Sequence, residues 1–133
     1  MNQLTFYRCP HCGNVIVKTV DSGVPVVCCG EPMQLIEPHT NDAFQEKHLP
    51  VVSRNCKISS QNCTISVQVG SIEHPMTPEH FIQFICLETE RGFRIAYLQP
   101  NDRPIVEFCN CNAKPIAVYE YCNLHGLWKT NVK

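Results

Sequence analysis

Apolar and polar side chains alternate over seven residues in Cys63-Thr64-Ile65-Ser66-Val67-Gln68-Val69. This period of two is typical of a β-strand that buries only one face. Strand-like runs recur at residues 92–98, 104–109 and 115–121, with turn-forming residues between them. Residues 81–87 are nearly all apolar, which predicts a core strand and leaves a short helix as the alternative. Short strands separated by turns predict an all-β fold built as a β-sandwich.

The pattern also predicts two domains. The strand-rich part, residues 38–133, is close to the ~100 residues of an immunoglobulin-like sandwich, and its first residues, 38–45, are polar and read as a linker. Residues 1–37 contain one clear strand, at 15–20, and too few apolar side chains to stabilise a fold unaided. A bound metal would supply the missing free energy in this first domain.

Composition excludes several classes of function. The 133 residues carry a formal net charge of −1, so no basic surface for nucleic acid is expected. No apolar run is long enough to span a bilayer. The first eight residues lack the apolar region of a signal peptide, so we expect a cytoplasmic protein. Ten cysteines in a reducing compartment favour metal ligation over a disulfide framework.

Four cysteines in the first domain have the spacing of a metal site. Cys9 and Cys12 form a Cys-x-x-Cys pair, and Cys28 and Cys29 are adjacent. A Cys₄ set suits either zinc or a mononuclear iron centre, and neighbouring ligands would distort the tetrahedron. A vicinal disulfide is the alternative for Cys28 and Cys29. His11 lies between the first pair and is expected at the surface, because four sulfurs already complete the tetrahedron.

A second group of candidate ligands lies in the larger domain. Cys122-Asn123-Leu124-His125-Gly126 places a thiolate and an imidazole three residues apart, in a turn that Asn123 and Gly126 favour. The backbone N–H groups of Leu124 and His125 are expected near the sulfur, where they would tune a metal thiolate. His48, His74 and His80 add three imidazoles from short polar segments.

Four imidazoles and one thiolate make five ligands, which suits iron better than structural zinc. The imidazoles can lie in a plane with the sulfur on one axis, which leaves the opposite position open for a small molecule. A thiolate opposite an open position donates electron density toward whatever binds there. Lys47 would attract an anion to that position, and Glu46 could occupy it when substrate is absent. A solvated charged turn is the alternative for this pair.

Together these motifs resemble desulfoferrodoxin, the two-iron class of superoxide reductase, over nearly the whole chain. Residues 9–14 and 28–33 resemble its desulforedoxin-like domain. Residues 46–51, His74-Pro75-Met76 with His80, and 122–126 followed by Trp128-Lys129 resemble its catalytic domain. The resemblance implies a small rubredoxin- or desulforedoxin-like metal domain, an immunoglobulin-like β-sandwich, a homodimer and two iron ions per chain.

The resemblance also implies roles for individual residues. The first iron would be held by Cys9, Cys12, Cys28 and Cys29, and the catalytic iron by His48, His74, His80, Cys122 and His125. The ferrous ion would reduce superoxide by one electron to hydrogen peroxide. Lys47 would draw in superoxide and position solvent for protonation, while Glu46 would ligate the resting ferric ion. Reduced rubredoxin, or a similar donor, would restore the ferrous state.

Two other functions are compatible with the ligand patterns. One is a pure electron carrier that uses the Cys₄ iron, with a structural second site. The other is a zinc-binding interaction module. Cys56, Cys63, Cys86, Cys109 and Cys111 belong to neither site, and Cys63 and Cys86 are expected to be buried as small apolar residues.

Overall fold

The computed structural model describes residues 4–41, 48–56, 62–111 and 113–132. These described residues form twelve strands, β1 to β12, so the predicted all-β class is confirmed. The chain separates into two compact units, Met1–Glu37 and Pro38–Lys133. No helix in the described part of the chain is long and apolar enough to cross a membrane.

The first unit is built from five very short strands. Three of them form an antiparallel sheet in the order β2-β1-β5, and the other two pair as the hairpin β3-β4. Among its described residues, the buried apolar side chains are Phe6, Cys9 and Met33. The strands are β1 Phe6–Arg8, β2 Val15–Val17, β3 Val27–Cys28, β4 Glu31–Pro32 and β5 Gln34–Ile36.

The second unit is a β-sandwich of two antiparallel sheets, as predicted. One sheet has the strand order β10-β7-β6, and the other has the order β12-β11-β8-β9. The strands are β6 Pro50–Cys56, β7 Asn62–Val69, β8 Ile82–Thr89, β9 Gly92–Tyr97, β10 Ile105–Cys111, β11 Pro115–Cys122 and β12 Gly126–Asn131.

The core lies between these two sheets. In β7 the apolar side chains of Ile65, Val67 and Val69 are fully buried, while the polar residues between them are partly exposed, as the alternation predicts. Strand β8 is different, because both of its faces are mostly buried. A strand buried on both sides has no polar alternation, which explains why residues 81–87 could also be read as a helix. The strand interpretation is correct.

The strand register brings several chain segments to one end of each sheet. The start of β6 lies beside the end of β7 through the pair Pro50↔Val69. In the other sheet, the end of β11 lies beside the starts of β8 and β12 through Cys122↔Ile82 and Cys122↔Gly126. The segments just outside these strand ends carry the histidines of the second candidate site, and the last residue of β11 is its cysteine.

Candidate metal centres

The four cysteines of the first unit converge on one point. The Sγ atoms of Cys9, Cys12, Cys28 and Cys29 all lie within 4.8 Å of one another. Cys9 is fully buried, whereas Cys12 and Cys29 are exposed, so the group lies at the surface of this small unit. This donor set is the one that zinc or a mononuclear iron centre requires.

Backbone geometry explains how adjacent cysteines reach the same point. Cys29 adopts a φ of 53°, in the left-handed region that residues with a side chain rarely occupy. This turn of the backbone allows Cys28 and Cys29 to present both sulfurs to the group. On the other side, Gly13 has a φ of 81° and its N–H donates to the carbonyl of Cys9, which closes the Cys-x-x-Cys turn.

The four thiols oppose one another's ionisation. A backbone hydrogen bond from Cys12 lowers the pKa of Cys9 to about 6, so one thiolate forms readily. Hydrogen bonding to Cys12, then to Cys9 and Cys28, raises the pKa of Cys29 to about 12. Four thiolates this close therefore require a cation, which fits a metal bound by all four sulfurs.

Two alternatives for the first unit can be compared with the structure. Cys28 and Cys29 are free cysteines, so the vicinal disulfide is not formed. His11 is exposed, and its Nε2 atom lies 3.1 Å from Oε1 of Glu31, as expected for a surface residue that is not a ligand.

The second group unites residues from distant parts of the chain. His48 precedes β6, His74 follows β7 and His80 precedes β8, while Cys122 is the last residue of β11 and His125 lies between β11 and β12. One ligand atom from each of the five lies within 4.8 Å of the others. These segments meet because antiparallel pairing places the end of one strand beside the start of its neighbour.

The four imidazoles form a closed ring of neighbours. Ring centroids are 5.2 Å apart for His48–His74, 4.6 Å for His74–His80, 5.0 Å for His80–His125 and 4.8 Å for His125–His48. Each pair meets edge to face, at angles between 64° and 82°. The Nε2 atom of His48 and the Nδ1 atom of His125 are 3.0 Å apart. Four nitrogens can therefore surround one ion.

The cysteine is the most deeply buried of the five residues. Cys122 is fully buried, whereas His125 is exposed. The Sγ atom of Cys122 lies 3.9 Å from Nδ1 of His125. Burial raises the pKa of the Cys122 thiol, and hydrogen bonds from the N–H groups of Leu124 and His125 lower it. The predicted N–H groups therefore lie near the sulfur, where they help to hold a thiolate.

His74 is prepared to bind a metal through one particular nitrogen. Its Nδ1 lies 2.7 Å from the carbonyl oxygen of Pro75, to which it donates when it carries the proton. That tautomer leaves the lone pair on Nε2, a buried atom without a hydrogen-bond partner among the described residues. A buried acceptor of this kind is costly unless a ligand satisfies it. Burial also lowers the pKa of His74 to about 4, which keeps the ring neutral.

Asn123 connects the loop that carries His80 to the loop that carries Cys122. Its Oδ1 accepts a hydrogen bond of 2.9 Å from the Phe81 N–H, and its Nδ2 donates one of 2.9 Å to the Glu79 carbonyl. Its backbone N–H also donates to the carbonyl of Phe81, at 3.2 Å. The sequence predicts only a turn at Asn123, because the partners come from a segment more than forty residues away.

Trp128 is a second residue whose contacts the sequence does not reveal. Its ring stacks on His48 with centroids 4.7 Å apart and an interplanar angle of 15°. Its Nε1–H donates to the carbonyl oxygen of His125, at 3.2 Å. Trp128 thus contacts two of the five candidate ligand residues.

The predicted residues Glu46 and Lys47 lie outside the described residues.

Known proteins resemble this chain over both units. The family described as "Desulfoferrodoxin, N-terminal domain" matches residues 1–36, and the family "Desulfoferrodoxin" matches residues 40–131. A desulfoferrodoxin from Nitratidesulfovibrio vulgaris is 41% identical over 128 residues, which are 96% of each chain. One from Clostridium acetobutylicum is 40% identical over 98% of each chain.

A solved structure resembles this chain over the same two units as the sequence relatives do. The superoxide reductase from Treponema pallidum superposes with a TM-score of 0.79 at 31% identity, and the alignment covers 97% of this chain and 98% of that one. Its fold therefore extends over both units of this chain.

Proposed function

The chain belongs to the desulfoferrodoxin family, and on that premise we propose how its residues divide the work of a superoxide reductase. The activity is the one-electron reduction of superoxide to hydrogen peroxide. The observation that carries it is the convergence of His48, His74, His80, Cys122 and His125 on one point. The chain binds two irons, one in this group and one in the Cys₄ group of the first unit.

Iron bound by the four imidazoles and the thiolate supplies a ferrous–ferric couple that gives one electron to superoxide. Cys122 is the most deeply buried residue of the group, and its thiolate would donate electron density to the bound iron. The N–H groups of Leu124 and His125 moderate that donation by hydrogen bonding to the sulfur. The carbonyl of Pro75 fixes the orientation and tautomer of His74.

Lys47 and Glu46 would act at the open position. The ammonium group of Lys47 would attract the superoxide anion and orient the solvent that delivers protons. The carboxylate of Glu46 would bind the resting ferric centre and leave when substrate arrives. Both roles follow from their position directly before His48 in the sequence and from the family resemblance.

The electron donor, the cellular compartment and the oligomeric state are further parts of the proposal. Reduced rubredoxin, or a similar small iron–thiolate protein, would return the catalytic centre to the ferrous state. A reducing cytoplasm would keep the free cysteines available for metal. A second copy of the chain would form a homodimer, supported by the apolar side chains that the first unit exposes: Val20, Val24, Val26, Val27 and Leu35.

Rapid mixing of the iron-loaded ferrous protein with superoxide tests the activity. We expect fast oxidation of the catalytic centre and one peroxide for each superoxide consumed. Metal analysis of protein produced with ample iron should give two irons per chain. Zinc in both sites, or an unreactive ferrous centre, would contradict the assignment.

A further inference from the structure

Three aromatic rings form a continuous stack that ends at a candidate ligand of the catalytic iron. The ring of Trp128 lies between two imidazoles: its centroid is 4.7 Å from that of His48 and 4.5 Å from that of His39. The interplanar angles are 15° on the His48 side and 36° on the His39 side. We call these three residues the ring stack.

The ring stack leads from the surface to the metal site. His39 is exposed, whereas Trp128 is 7% exposed and His48 is 6% exposed. The outermost ring is therefore accessible to another molecule, and the innermost ring belongs to the group of metal ligands. The three rings alone therefore connect the surface at His39 with the candidate ligand His48.

The backbone holds the outer ring in place. His39 and Trp128 pair as an isolated parallel bridge. The N–H of His39 donates to the carbonyl of Leu127 at 2.9 Å, and the N–H of Lys129 donates to the carbonyl of His39 at 2.9 Å. These two hydrogen bonds, one before and one after Trp128 in the sequence, hold the main chain of His39 beside that of Trp128, from which the His39 ring reaches the indole.

Trp128 is coupled to the ligand group by two kinds of contact. It touches His48 face to face, and its Nε1–H donates to the carbonyl of His125. Electron tunnelling falls off exponentially with distance, and it falls off faster across empty gaps than through atoms in contact. A continuous stack is therefore a favourable route.

We propose that the ring stack is the path by which electrons enter the catalytic centre. A reduced one-electron iron–thiolate protein would approach His39 and transfer one electron across Trp128 and His48. The donor is oxidised by one electron and the ferric ion becomes ferrous, with no bond formed or broken. Because the path enters through the imidazole of His48, the donor would not have to occupy the place where superoxide binds. This inference rests on the function proposed above.

The six histidines of the chain permit a direct test. Four of them belong to the ligand group, which leaves His11 and His39. In an iron-loaded His11→Gln protein, a ruthenium bis(bipyridine) label that coordinates free imidazoles therefore attaches at His39. A light pulse with a sacrificial reductant places one electron on the label, and transient absorption follows the loss of the ferric band.

Substitutions of Trp128 test whether the rate of electron transfer from the label depends on its ring. Trp128→Phe retains an aromatic ring and should keep most of the transfer rate, whereas Trp128→Leu should lower the rate severalfold or more. A label on Tyr97→His, in a chain that also carries His11→Gln and His39→Gln, provides the control. Tyr97 is 78% exposed and lies outside the ring stack, so transfer from it should not respond to Trp128→Leu. An equal rate for Trp128→Leu and the unsubstituted His39-labelled protein would overturn the proposal.

A second measurement requires neither iron nor a core substitution. Trp128 is the only tryptophan, so its fluorescence reports on the ring stack in the metal-free protein. Loss of the neighbouring imidazole in His39→Leu should make that fluorescence brighter, and Tyr97→Leu should leave it unchanged. No change in His39→Leu would show that the rings are not in contact in solution and would overturn the route. Failure of ferrous protein to react with superoxide would contradict the proposed activity instead, and leave the measured route standing.

Discussion

Replacing Asn123 with alanine should loosen the catalytic metal site without removing any ligand. The substitution deletes two side-chain hydrogen bonds, from the Phe81 N–H and to the Glu79 carbonyl, which connect the His80 loop to the Cys122 loop. Each such bond contributes roughly 0.5–1.5 kcal/mol net, so the pair is worth about 1–3 kcal/mol. The backbone hydrogen bond from Asn123 to Phe81 remains in the variant.

That free energy is lost either from the metal-free fold or from metal binding. If the His80 loop is ordered before metal binds, the metal-free protein should unfold more easily by this amount. If metal binding orders the loop, the affinity for iron should fall by roughly five- to 150-fold, since 1.4 kcal/mol corresponds to tenfold. Loss of a group that orients a ligand typically costs about 10- to 100-fold in affinity, which agrees with this range.

Urea unfolding followed by Trp128 fluorescence measures the first quantity, because the only tryptophan lies in the second unit. Competition with a chelator measures the affinity for iron. Asn123→Asp retains the acceptor for Phe81 and loses the donor to Glu79, so it should show a smaller defect. Asn131→Ala, at an exposed asparagine at the end of β12, is the matched control and should change stability by less than about 0.5 kcal/mol. If Asn123→Ala equalled the control in both measurements, the connecting role would be refuted.

Three further predictions concern other parts of the protein. Lys47→Ile should slow the capture of superoxide while the metal content stays the same, and unchanged capture in rapid mixing would remove Lys47 from the mechanism. Cys9→Ser should abolish the first iron in metal analysis but keep the ferrous catalytic centre reactive, and loss of all reactivity would favour a carrier role for the Cys₄ iron. In the metal-free protein the second unit should lose stability as pH falls from about 6.5 to about 4. Burial lowers the pKa of His74 in the folded state, so over this range His74 is protonated in the unfolded state but not in the folded state. Urea unfolding at several pH values should show a weaker pH dependence for His74→Gln.

The sequence predicts the strands best where one face meets water. Alternation in β7 shows both the strand and the face that enters the core, because Ile65, Val67 and Val69 are separated by polar residues. Strand β8 has no such signal, since burial on both faces removes the polar positions. Strand β12 is not predicted by alternation, and its position follows from pairing with β11 across the Cys122–Gly126 turn.

The ligand types of the second site are visible in the sequence, but the contacts that orient them are not. That a histidine before one strand and a cysteine at the end of another are neighbours can be recognised only when the pairing register is known, as in Cys122↔Ile82. The partners of Asn123 and the stacking of Trp128 on His48 depend on that register too. Composition shows that a thiolate and imidazoles are present. Only the fold shows which carbonyl fixes His74 and which ring touches His48.

The two metal groups have different relations to the fold that holds them. The described part of the first unit buries few apolar side chains, and two of its four cysteines are exposed, so the metal itself must contribute much of the free energy that orders this unit. The second group rests on a large apolar core, and its ligands are oriented by Pro75, Asn123 and Trp128. A site ordered by its protein can keep one coordination position open, because no ligand from the chain is needed there to hold the structure together. The sandwich therefore suits the chemistry of substrate binding, while the closed Cys₄ group suits a metal that never exchanges its ligands.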